Sequence, residues 1–221
     1  VLQRWRTLPD PWKRQILSRT GWLSNAIRQS LLKADSEPYI CACDAAVYLH
    51  EFDLIPVLVA AAENRAHPHS GLAAATVLEL AELLAEELTA PRDYRIRRDP
   101  QLQRQHLIGS LERAASQFDQ HGRKELVEAL VLLADRENAV LKRILQTPVD
   151  RNFVPLVEVL VGSSRTAATR LLLSYLSDAH APLAALHALA RRRDISFLRQ
   201  LVRQIGAEPT RNVSANLKRI E

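Results

Sequence analysis

Apolar residues recur at helical spacing along this chain. Over residues 70–88 the positions Leu72, Ala75, Val77, Leu78, Ala81, Leu84, Ala85 and Leu88 follow a 3.6-residue period, with Ser70 placed to cap the helix. Trp22, Leu23, Ala26, Ile27 and Leu31 predict a helix over 22–33, and a buried face of Ile40, Ala42, Cys43, Ala46, Val47 and Leu49 predicts another after Ser36-Glu37-Pro38. Asp10-Pro11 and Asp99-Pro100 each set a capping acid before a proline at the first helical position, which opens helices near 10–19 and 99–118. Asp53 heads 54–63, and His67-Pro68-His69 breaks the chain into a loop over 64–69. Beyond Gly122, helices are predicted near 123–134, 137–146, 151–161, 164–176, 179–192, 194–205 and 209–220.

One motif returns. Asp53-Leu54-Ile55-Pro56-Val57-Leu58 is followed by Asn152-Phe153-Val154-Pro155-Leu156-Val157 and by Asp194-Ile195-Ser196-Phe197-Leu198-Arg199. The last two lie about 40 residues apart, the span of a two-helix repeat. With partner segments such as Ala45-Ala46-Val47-Tyr48-Leu49 and Ala184-Ala185-Leu186-His187-Ala188-Leu189, the pattern resembles the A/B helix pair of HEAT or armadillo-type repeats. The resemblance covers 152–221 best, then 37–88. It implies an all-α, right-handed superhelical solenoid of about five or six helical hairpins, whose surfaces bind other macromolecules. It specifies an architecture and no activity.

Composition agrees with helices. The 221 residues are 47% apolar but only 5% aromatic, with 6 Gly, which disfavours a β-sandwich or barrel. The chain is long enough to bury a core without a metal or a disulfide. It starts at Val1, has no Met and ends within a helical pattern, so a single helical-repeat domain cut from a longer protein is expected. Residues 89–98, TAPRDYRIRR, are the longest irregular stretch and the expected join between sub-arrays 1–88 and 99–221. No leader pattern and no apolar run of about 18 residues occurs, so a cytoplasmic protein away from membranes is expected.

The charge is segmented. Residues 1–34 hold seven Lys/Arg against one acid, 35–91 one against ten, 92–151 twelve against nine, and 152–221 ten against five. An acidic block between basic ones would repel the phosphates that a nucleic-acid binder must follow. It suits docking of protein partners. Glu79, Glu82, Glu86 and Glu87 also fit a plain solvated face. Arg191, Arg192 and Arg193, supported by Arg199 and Arg203, form the densest basic cluster, and Arg95, Arg97 and Arg98 surround Tyr94 in the irregular stretch. These eight arginines are the candidate partner-binding residues. The bland alternative for the triplet is a favourable placement at a helix C-terminus, worth about 0.3–1 kcal/mol each.

Catalytic chemistry finds little support. Cys41 and Cys43 are i, i+2, about 200° apart on a helix, and read as small core residues. Glu63, His67 and His69 lack a second ligand pair for a metal and read as a solvated loop. Ser163-Ser164 read as caps without a nucleophile elbow. His180 and His187 are seven residues apart and are expected to share a helix face. Asn212-Val213-Ser214 matters as a sequon only in a secreted protein. Trp5, Trp12 and Trp22 are expected to form an N-terminal core cluster. Their groove-lining alternative goes with a second functional reading, a nucleic-acid-binding repeat protein akin to helical-repeat DNA glycosylases. The leading expectation is a non-catalytic protein-binding scaffold with no cofactor, metal or small-molecule substrate.

Overall fold

The computed structural model describes residues 2–17, 21–33, 35–91, 99–206 and 209–220. All of its regular structure is helical: fourteen α-helices and two short 3-10 turns among the described residues. After the 3-10 turn Leu2–Thr7 come α1 (Asp10–Leu17), α2 (Gly21–Lys33) and α3 (Ser36–Tyr48). The turn Phe52–Leu54 leads into α4 (Ile55–Glu63), then α5 (Ser70–Glu87), α6 (Pro100–Ser116), α7 (Phe118–His121) and α8 (Lys124–Leu133). The C-terminal part holds α9 (Ala139–Gln146), α10 (Phe153–Gly162), α11 (Thr166–Leu176), α12 (Leu183–Arg191), α13 (Ile195–Ile205) and α14 (Arg211–Lys218).

Local chemistry explains several boundaries. The Asp99 carboxylate accepts from the Gln101 N–H at 2.8 Å ahead of Pro100, so the cap-plus-proline signal opens α6 as read. Asn138 caps α9 by accepting from Leu141 N–H at 3.0 Å. Gly206, at φ 65°, stops α13 with a backbone that an L side chain rarely adopts. All three copies of the recurrent motif stand at helix starts, those of α4, α10 and α13. Ser70 departs from its expected role. His69 occupies the cap position of α5, while the Ser70 hydroxyl accepts from Arg123 Nη2 at 2.6 Å. Ser163 likewise gives its hydroxyl hydrogen to Glu128 at 2.7 Å and leaves the cap position of α11 to Arg165.

Packing advances along the chain. α2 and the first turn lie on α3; α4 pairs with α5; α6 lies on α4 and α8; and α5 packs along α8. α8 then meets α10 and α11, α12 sits against both of these, and α11 receives α13 and α14. α8 buries seven of its ten residues, among them Leu126, Leu130 and Leu133, so its apolar surface is covered from several sides. One continuous apolar core runs from Trp5 to Ala188 and so spans both sides of the expected join. A second, much smaller core of Leu173, Leu176, Leu189, Phe197 and Val213 holds α13 and α14 to α11 and α12. Asn216 of α14 strengthens that contact by donating to the carbonyls of Leu176 (2.9 Å) and Asp178 (2.7 Å) at the end of α11.

The tryptophans do not form one cluster. Trp5 is buried and meets Tyr48 edge-on at 5.6 Å, but Trp12 is 60% exposed. Their seven-residue spacing spans the end of the first turn and the start of α1, so no single helix carries both. The Trp22 side chain lies outside the described residues.

Candidate functional site

The C-terminal end of α12 and the whole of α13 carry five of the eight arginines singled out from the sequence; Arg95, Arg97 and Arg98 fall outside the described residues. Arg191, Arg193, Arg199 and Arg203 are exposed, and among the described residues no carboxylate pairs with any of them. Arg192 behaves differently. Its side chain is 1% exposed, its Nε and Nη2 reach Asp194 Oδ2 at 2.9 and 2.8 Å, and its guanidinium lies 4.8 Å from the centre of the Phe197 ring. Burial therefore removes Arg192 from the surface cluster and makes it an internal clamp between α12 and α13.

Asp194 explains why the clamp is in place. It is the cap of α13, accepting from the Phe197 N–H at 2.9 Å and the Ser196 hydroxyl at 2.8 Å. Burial works to raise its pKa, but hydrogen bonds from Ser196, Phe197 and Arg192, with the Arg192 charge, outweigh that and hold the carboxyl below its ordinary range. The sequence held a signal for this: an arginine two residues before a capping aspartate can bond it without crossing any other element.

Beside the arginines lies an apolar surface that the reading of charges alone missed. Ile195, Leu198 and Val202 are 68%, 43% and 69% exposed, at the i, i+3, i+7 spacing of one helix face. With Arg199 and Arg203 they line a shallow depression on the outside of α13. Phe197, on the opposite side of the helix, is fully buried. The geometry sets cationic hydrogen-bond donors beside an apolar seam.

The other candidate residues fall elsewhere. Cys41 and Cys43 are both buried, and burial above all pushes the Cys43 thiol up to about 11, with Asp44 and Glu79 adding to the rise and Thr76 opposing it. The 64–69 loop is not simply solvated: His69 stacks on Tyr39 at 4.8 Å and His67 lies 5.2 Å from the same ring. Burial, then the neighbouring His69, lowers the His67 pKa. Glu63 is drawn away to Arg113 at 3.1 Å. Among the described residues, no three His, Cys, Asp or Glu side chains converge closely enough for a metal ion. Of the α5 acids, Glu79 and Glu86 are exposed, Glu82 meets Arg165, and Glu87 meets His50 at 2.6 Å. His180 lies in the turn before α12 and His187 within it; both border an open cleft of about 750 Å³ with Phe153, Leu183 and Arg219.

Among the described residues no helix is long and apolar enough to cross a membrane. Comparison with known proteins finds no matching family model, no matching curated protein and no matching solved structure.

Proposed function

We propose that this chain is a right-handed helical-repeat solenoid of the HEAT type, with about five or six helical hairpins, acting as a non-catalytic protein-binding scaffold. Two features support the architecture: the recurrent motif stands at the starts of α4, α10 and α13, and helix packing advances with chain order. The single observation carrying the function is the outer face of α13, where three large aliphatic side chains stay in water beside arginines that meet no carboxylate among the described residues. Scattered exposed apolar residues are ordinary, but a seam bordered by charge is a feature of interfaces. The reading places the protein in the cytoplasm and assigns it no cofactor or substrate.

The nucleic-acid reading has less behind it. Phosphate binding would use Arg191, Arg193, Arg199 and Arg203 but gain nothing from Ile195, Leu198 and Val202. The exposed Glu79 and Glu86 of α5 would repel a backbone laid along the molecule. The test pairs two measurements on the full chain. Photo-crosslinking in a lysate of the source cells is expected to give discrete protein adducts, and filter binding at low salt is expected to give no retention of single- or double-stranded DNA. Retention that falls steeply with salt, without protein adducts, would replace the scaffold with a nucleic-acid binder.

A further inference from the structure

The apolar arc of α13 is wider than the fold uses. At about 100° per residue, Phe197, Leu201, Ile205, Leu198, Val202 and Ile195 fill about 160° of the helix. The fold covers the side of Phe197, with Leu201 and Ile205 packed on the small C-terminal core. The rest of the arc, Ile195, Leu198 and Val202, faces solvent. Positions 195, 198 and 202 follow the three-four spacing of a helix–helix seam, about 10 Å long. Arg199 and Arg203 border that seam along its length, and Arg191 and Arg193 lie just before its N-terminal end.

We propose that this face docks an acidic amphipathic helix of a partner protein, with apolar side chains of the partner in the seam and carboxylates against Arg199 and Arg203. The claim rests on the scaffold reading and adds the partner's chemistry. A helix fits because the exposed residues recur at the spacing by which one helix reads another. Acid fits because the flanking arginines lack a carboxylate among the described residues, and covering the seam with a neutral surface would strip water from them without return. A second copy fits poorly in an antiparallel two-fold contact of α13 with α13, where the arginine edges would face each other. A single strand of nucleic acid would look for aromatic platforms, and the seam has none. An anionic membrane would take the arginines, but three aliphatic side chains without an aromatic anchor give it little to hold.

The test uses a fluorescein-labelled peptide of three heptads with Leu at the seam positions and Glu at the flanking ones, beside a Lys-for-Glu version. Anisotropy titration of the full chain is expected to give saturable binding of the Glu peptide and affinity at least about tenfold weaker for the Lys peptide. Val202→Asp should abolish binding with the helical circular dichroism unchanged. The double variant Arg199→Glu/Arg203→Glu should reverse the preference toward the Lys peptide. No binding of the Glu peptide, equal binding of both, or binding indifferent to Val202→Asp overturns the proposal. So does a dimer in light scattering, or sedimentation with phosphatidylserine vesicles, that Val202→Asp removes. The scaffold reading fails on a different result, the lack of protein adducts from the full chain; adducts that persist unchanged in Val202→Asp would keep the scaffold and reject α13 as its contact.

Discussion

Three consecutive arginines follow one another from the last residue of α12 into the turn before α13, and only the middle one turns inward. Arg191 and Arg193 stay in water, where a C-terminal position on the helix favours positive charge. Arg192 instead exchanges hydration for two hydrogen bonds to Asp194 and the face of Phe197. The same contrast of burial governs the imidazoles. His67, held against Tyr39, is disfavoured from taking a proton in the folded chain by its surroundings and by His69. Its folded pKa lies below the unfolded value of about 6.5, so its contribution to stability is present above that pH and is lost as pH falls toward the folded pKa. Urea midpoints measured from pH 8 to pH 5 should therefore fall with acidification, and His67→Asn should flatten part of that slope. A slope unchanged by the substitution would mean the ring is as free as in the unfolded chain.

Elements divide α13 between two tasks. Its inner side is the main attachment of the C-terminal pair, because Phe197 is fully buried in a small core of five buried side chains among the described residues. Phe197→Ala is expected to cost about 3–4 kcal/mol in denaturant titration and to release the Arg192 clamp as well. Val202→Asp, on the outer side, should stay within about 0.5 kcal/mol of the parent. Equal costs would show that both sides are packed. Much of this was readable from sequence. Asp194 and Asp99 announced their helices because capping is local, decided within three residues. The width of α13's apolar arc was also present in the order of residues 195–205, but a single helix cannot say which part of its arc a neighbour will cover. Long-range contacts left no local trace. His67 and His69 dock on Tyr39, 28 and 30 residues away in chain order, and Trp12 belongs to a different element from Trp5, so the spacing of the tryptophans carried no facial meaning.

Across the whole molecule, the large core centres on α5 and α8, and the C-terminal pair hangs on the small one. Helices held by cores of such different size should open at different free energies. α5 and α8 should open near the global limit, whereas α13 and α14 should open earlier. Hydrogen exchange read by mass spectrometry on the full chain, with and without the acidic heptad peptide, examines both halves of the account at once. The expected result is a gradient of protection falling from α5 and α8 to α13 and α14, with the peptide raising protection in α12 to α14 alone. Uniform protection in a single all-or-none opening, or a peptide effect confined to other helices, would contradict it.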